Sequence, residues 1–359
     1  MNKLSTIFLL FFISVVVVSA QDGKPKKKLM GLPRYLFPQF TRSNDPANIA
    51  MAYTGAAQSS NEFGPLSNPA YLAEMNSAMA TFSHIPSLYR STREITKASN
   101  QEALCLVLPL PYGFAIGISA FNLNQGKIQI QDYQTKKVNI YSMGTTQIGV
   151  TGAKQLISTQ RFSLLLGATT KYLYPYYGFG HGEAFLYDVG MISSWRGQSK
   201  WFSLGAMASN LGSDLKFKMN GYPGSDFQEE VFKLLRIGVS GGNLQKKLSG
   251  SADPQFTFSL EVQHSINSDE YPYESWNHLN IASECKLFHH LSGRIGYVFD
   301  LEKDESHSEF AGFTYGIGMQ TPGPINILTP ITLSFSYGKG IDAFMESVHV
   351  VALTLYFQR

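Results

Sequence analysis

Glu284, Lys286 and Arg294 are the residues whose types and spacing come nearest to a reactive cluster. A carboxylate, an ammonium and a guanidinium within one short stretch could hold an anion, move a proton or neutralise one another. The backbone that carries them decides between these. Leu279, Ile281 and Leu287 alternate with polar residues on one side of the cluster, and Ile295, Tyr297 and Phe299 do so on the other. Side chains of an extended strand point to opposite faces with period two, so the apolar set marks one face and the charged set the other. Antiparallel partners share a face, so paired positions must sum to an even number. A two-residue turn at His289-His290 gives an odd sum and is excluded. A three- or five-residue turn puts Glu284 or Lys286 across from Arg294. The expectation is a Glu284–Arg294 contact on the inner face that neutralises charge rather than doing chemistry. His289 and His290 have no further His, Cys or carboxylate at ligand spacing and read as turn residues.

Other chemistry is thin. The chain has no Gly-x-Ser-x-Gly, no Walker sequence and no His-Glu-x-x-His. Cys105 and Cys285 lie in strand-like stretches, either as two small apolar side chains or as a pair formed in an oxidising compartment. The reading is a non-enzyme with no cofactor and no metal. A formal charge of +3 on 359 residues gives no reason to expect nucleic acid.

The alternation recurs along most of the chain. Candidate strands run over 77–87, 102–110, 112–122, 126–133, 141–154, 161–173, 184–195, 200–211, 233–241, 255–265, 278–288, 291–300, 309–320, 329–338 and 346–357. The stretch 126–133 is the weakest and could belong to an outside loop. Lys171, Asp188, Arg236, Glu261, Glu284, Lys286 and Arg294 all fall on the polar face of their own segments. A Lys or Arg facing lipid at mid-bilayer costs about 2–4 kcal/mol, so this segregation suits a wall with one face in hydrocarbon. The competing all-β fold is a sandwich, whose outer face would also be polar. Composition leans the same way: 19 Tyr, 25 Phe, 32 Gly and only 15% charged residues, with a mean hydropathy of −0.08. The fold class expected is all-β, a transmembrane antiparallel β-barrel of about 14 strands, since single-chain bacterial barrels close on even numbers. Inward positions read as Ser, Thr, Gln, Gly and charged groups, with little apolar lining.

Residues 1–20 have the form of a cleaved signal peptide: Lys3, an apolar run from Leu4 to Val18, then Val18-Ser19-Ala20. Residues 21–75 read as a lysine-bearing tail and a proline-rich segment. Short helices are expected from Pro46 to Tyr53, capped by Asn44 or Asp45, and from Pro69 to Met75 after Asn68. Residues 76–359 form the barrel. The longer breaks are 88–101, 174–183, 212–232, 265–277 and 301–308. Of these, 174–183 carries Tyr174, Tyr176, Tyr177 and Phe179, either an interfacial aromatic girdle or a partner-facing loop.

Several stretches in order resemble the FadL-like outer-membrane barrels, in the branch that includes PorV and PorQ of the Bacteroidetes type IX secretion system. They are Ala50-Met51-Ala52-Tyr53-Thr54-Gly55-Ala56-Ala57, Ser67-Asn68-Pro69-Ala70-Tyr71-Leu72-Ala73, Tyr187-Asp188-Val189-Gly190, Ser209-Asn210-Leu211-Gly212, Leu235-Arg236-Ile237-Gly238-Val239-Ser240 and Leu291-Ser292-Gly293-Arg294-Ile295-Gly296-Tyr297. The usual Gly-Met-Gly is here Tyr53-Thr54-Gly55. The resemblance implies that Gly55, Asn68, Pro69 and Ala70 belong to a hatch inside the barrel, in the outer membrane of a Gram-negative bacterium. It implies membrane lipid as a partner and two main roles. One is a protein-binding subunit, docking secretion-complex proteins or secreted cargo. The other is a channel for hydrophobic small molecules. A purely structural subunit of a membrane machine is the third reading.

Overall fold

The computed structural model describes residues 43–58, 66–86, 100–131, 138–178, 180–219, 226–244, 254–266, 277–288, 290–301, 311–321, 324–326, 330–340 and 348–357. The signal-peptide and lysine-tail readings, Phe179 and His289 lie outside them. Seventeen strands, β1 to β17 in chain order, form one antiparallel sheet. Leaving aside β8 (Leu215–Met219), β9 (Phe227–Glu229) and β15 (Ile325–Asn326), fourteen of them close a ring. Closure is made by β1 (Ala78–Pro86) pairing with β17 (Val348–Phe357), and by β7 (Lys200–Gly212) pairing with β10 (Leu234–Asn243).

The strands are β-structure because every one alternates, and closure leaves no unpaired edge in the ring. On β2 (Asn100–Leu110), Leu104, Leu106 and Leu108 are 42–44% exposed. On β11 (Gln255–Ser265), Phe258 is 63% exposed while its neighbours Thr257 and Ser259 are buried. So much apolar surface turned outward on all sides is a lipid-facing belt, and the molecule is a transmembrane barrel. Aromatic rings border it. Trp195 packs at a tilt between Phe162 at 5.2 Å and Phe202 at 5.9 Å near one end; Tyr172 meets Phe185 at 5.1 Å near the other.

Three corrections concern the strands. The two segments 112–122 and 126–133 are one strand, β3 (Phe114–Gln131), so the fifteen candidates reduce to the fourteen of the ring. A bulge between Asn124 and Gly126 resets the alternation, with Gly126 at φ 85° and its N–H donating to Asn124 Oδ1 at 2.9 Å. The pattern breaks there although the strand continues. The stretch at Tyr174, Tyr176 and Tyr177 is not a loop. It completes β5 (Phe162–Tyr177), which pairs with β6 (Gly180–Arg196). Finally β8 and β9 stand where a loop was expected, β8 extending the wall beside the upper end of β6.

Cys105 and Cys285 cannot pair. Cys105 is fully buried on the inner face of β2, while Cys285 lies on β12 (His278–Leu287), on the opposite, outward face from Glu284 and Lys286.

The inner face also departs from expectation. It is not uniformly polar. Ile85, Ala103, Cys105, Phe121, Leu123, Val348 and Val350 form one buried apolar cluster, and Met79, Val107, Ala115, Ala153, Leu165 and Ile192 another. These side chains come from β17 and β1 to β6. The opposite sector, β10 to β16, is closer to the expected polar lining, while on β1 to β6 these apolar clusters share the inner face with buried polar groups such as Thr151, Thr169, Lys171 and Asp188. Strands apolar on both faces defeat an inference that assigns the bulkier set to lipid.

Candidate functional site: a plugged lumen and the cavity beneath it

Residues 43–58 and 66–77 fill the lumen. Asp45 accepts the Ala47 N–H at 2.9 Å and starts a five-residue helix, α1 (Pro46–Ala50). Asn68 accepts the Ala70 N–H at 3.1 Å and starts a 3-10 helix over Pro69–Glu74. In both, a proline occupies the first turn, where no N–H is required. Neither helix is long enough to be stable alone, so the wall must hold them.

It does so by letting backbone approach backbone. Inward-facing Gly167, Gly190, Gly205, Gly296, Gly316 and Gly338 each sit where an added Cβ would collide with this plug. At Gly205 it would meet the Ala56 carbonyl, and at Gly190 the Asn68 amide. Only glycine leaves room for such contact. Asn68 is fully buried and its Nδ2 donates to Ala56 O at 2.6 Å, tying the two pieces of the plug together beside β6 and β7.

Charge fixes the turn at Gly55. Glu261 of β11 is 1% exposed. Its Oε2 accepts the N–H groups of Gly55 and Ala56, both at 2.7 Å, and its Oε1 accepts Arg236 Nε of β10 at 2.6 Å. Arg236 Nη2 donates onward to Tyr53 O at 2.5 Å. A buried carboxylate is tolerable only with such full pairing. On β14 (Gly312–Gln320), Thr314 accepts the Ala52 N–H at 3.0 Å and donates to Ala50 O at 2.9 Å. A second buried pair, Lys171–Asp188 at 2.7 Å, joins Asn210, which donates to Phe232 O at 3.1 Å. This braces the wall beneath β8 and β9.

The Glu284, Lys286 and Arg294 cluster lies lower. Leu287 pairs with Leu291 across a three-residue turn, which puts Glu284 opposite Arg294. Arg294 Nε donates to Glu284 Oε2 at 2.6 Å. Lys286 sits one rung away, opposite Gln255 and Ser292. All three line a polar cavity of about 390 Å³ beneath the plug, with His290, Trp201 and Tyr71. Burial, with Glu74 beside it, raises the Tyr71 phenol above the ordinary tyrosine range, so it stays a neutral donor.

The aromatic residues divide. Tyr174 is on the outer face, 5.5 Å from the His181 ring and 6.5 Å from Tyr172. Tyr176 shares that face. Tyr177 turns inward and packs on Phe217 at 5.4 Å. The outward pair lies on the lipid-side face of β5 near its end, and Tyr177 lies in the interior.

Sequence reasoning placed Arg236 and Glu261 on the inner face but did not join them to Gly55. The signal was available. Two opposite charges on the inner faces of consecutive barrel strands are expected to pair, and a Gly-Ala turn offers free N–H groups.

No protein-family model matches the chain, and no curated protein matches it. Among solved structures, the toluene transporter TodX of Pseudomonas putida superposes with a TM-score of 0.51 at 11% identity, over 88% of this chain and 98% of that one. The chain shares its fold with TodX. Other similar structures are the toluene transporter TbuX of Ralstonia pickettii (TM-score 0.48, 10% identity, 87% and 98% covered) and a FadL homologue of Pseudomonas aeruginosa (0.45, 10%, 87% and 98%). The TodX-like fold, with its lipid-facing belt and closed ring, is that of an outer-membrane barrel.

Proposed function

We propose that the chain is a non-catalytic outer-membrane barrel, sealed by its own N-terminal segment, that serves as a protein-binding subunit of a secretion or outer-membrane assembly complex in the manner of the PorV and PorQ branch. One observation carries this. The plug is bonded to the wall through a fully paired buried charge, and the space left below it is lined by Glu284, Lys286, Arg294 and hydroxyl groups. Hydrophobic cargo gains nothing from such a lining. A closed barrel with structured strands beyond the belt, such as β8 and β9, offers surface rather than a pore. The partners in this reading are membrane lipid, other outer-membrane or secretion-complex proteins, and secreted cargo.

A second reading, a FadL-like channel for hydrophobic small molecules, is favoured by a different observation. The wall from β17 to β6 is apolar where it meets Ile49 and Leu72, and the fold is that of TodX. Displacement of the plug would expose that wall.

Extraction in mild detergent, followed by mass identification of what copurifies, separates the two. Stoichiometric secreted or outer-membrane proteins are expected. An apolar ligand in the lumen with no bound protein overturns the docking reading in favour of transport.

A further inference from the structure

We propose that the cavity beneath the plug is a binding site for a small polyhydroxylated carboxylate, of the hexuronate kind, entering from the short-turn end of the barrel. The strand register builds the wall in layers. One rung runs Trp201, Gly242, Thr257, Glu284, Arg294 across β7, β10, β11, β12 and β13 (Leu291–Asp300). The next carries Gln255, Lys286, Ser292 and Gly318. Below them Gln320 lies opposite Ser334, and Thr332 opposite Tyr356. All but Gly242 line the cavity.

The charges select the ligand. Arg294 is committed to Glu284 at 2.6 Å, and its guanidinium lies over Gly318, where an added Cβ would come within 2.8 Å of Nη1. That pair is internally neutral. Among the described residues Lys286 has no ion-pair partner, so the lining of the cavity carries one uncompensated positive charge. One ammonium suits a monoanion. A phosphate at its full charge would call for a second free cation, and the charge of Arg294 is already matched by Glu284. Around Lys286 stand one amide, Gln255, and three hydroxyls, Thr257, Ser292 and Ser336, which both donate and accept as sugar hydroxyls require. Trp201 supplies a flat apolar face at the far edge. Its Nε1 is 3.0 Å from where a Cβ of Gly242 would stand, so the indole lies across that glycine. Such a face covers the C–H side of a ring while the amide and the three hydroxyls meet the ring's own hydroxyls. The volume of about 390 Å³ is within the ~300–1,000 Å³ of small-molecule sites. Short turns of outer-membrane barrels face the periplasm, so the mouth near His290, Gln320 and Tyr356 opens there.

The site does not depend on the docking reading, since no element of it contacts the outer rim. The test is calorimetric titration of the micelle-embedded full-length barrel with sodium glucuronate, methyl glucuronate ester and glucose. Saturable binding of glucuronate is expected, with the ester and glucose weaker by about tenfold or more, the usual scale for losing a charge-assisted contact. Lys286→Gln should weaken glucuronate by about tenfold, and Lys286→Arg by far less. Heat-modifiable migration of each variant checks that the barrel is folded. Equal binding of glucose, unchanged affinity in folded Lys286→Gln, or no binding of any of the three overturns the proposal.

Discussion

The two sectors of the lumen wall hold the same plug by different physics. From β10 to β16 the contacts are few, directional and charged: Glu261 to two N–H groups, Arg236 to a carbonyl, Thr314 to both sides of one turn. From β17 round to β6 most of the burial is apolar and diffuse, with polar ties at its margins such as Gln101 to Asn44 and Arg196 to Glu74. Ile49 lies in one buried cluster, and Ala70, Leu72 and Ala73 in another. The first kind fixes position, because a displaced donor leaves a buried charge unpaired. The second supplies burial that is indifferent to small shifts. A segment held by both is placed by one and stabilised by the other.

Removing a member of the charged sector should have the largest effect. Glu261→Ala strands Arg236 and is expected to cost about 3–5 kcal/mol in urea unfolding of the micelle-embedded barrel. A Glu261→Met, Arg236→Met pair should recover most of that loss. Failure to recover would mean the plug N–H groups, not the guanidinium, are what Glu261 serves. Leu72 is fully buried, and Leu72→Ala should cost about 2–5 kcal/mol, at the high end only if the sector cannot collapse into the gap. A loss at Leu72 larger than at Glu261 would reverse the ranking of the two sectors. Asn68→Ala removes the link between the two plug pieces and should cost about 1–3 kcal/mol. It is also expected to make the Ala56 region more open to hydrogen exchange than the Leu72 region. Arg196 pairs with Glu74 at the end of the plug but is 57% exposed at its side chain. Arg196→Ala should cost about 0–1 kcal/mol and vanish in high salt. A large, salt-resistant loss there would show that the end of the plug is fixed by that contact rather than by Leu72 and Ala73.

The same contrast explains what was legible in the sequence. Strands such as β11 declare themselves because Phe256, Phe258, Leu260 and Val262 oppose Thr257, Ser259 and Glu261. The rule of even sums left Glu284 or Lys286 opposite Arg294, and the three-residue turn sets Glu284 there. The capping residues Asp45 and Asn68 were readable from chemistry within a few positions. What alternation could not convey is which strands are apolar on both faces. On β2, Leu104, Leu106 and Leu108 face lipid while Ala103, Cys105 and Val107 face the plug, and the pattern alone does not tell a greasy inner face from an outer one. The bulge at Asn124 hid a strand for a related reason, since one extra residue exchanges the two faces. The bond from Glu261 to Gly55 spans 206 positions and has no local trace.

The plug precedes every strand, yet the groups that bond its first turn include some from the last third of the chain. Ala50 and Ala52 wait for Thr314, and Gly55 waits for Glu261. Ring closure joins Ala78 to Phe357, the first strand to the last. The N-terminal segment therefore has no complete native home until the late strands are in place, and its Gly55 turn must be carried unsatisfied while the wall is laid down. Assembly of this protein should be slow, limited by contacts between distant positions, and a chain lacking its final strand should leave that segment exposed to proteases in the periplasm.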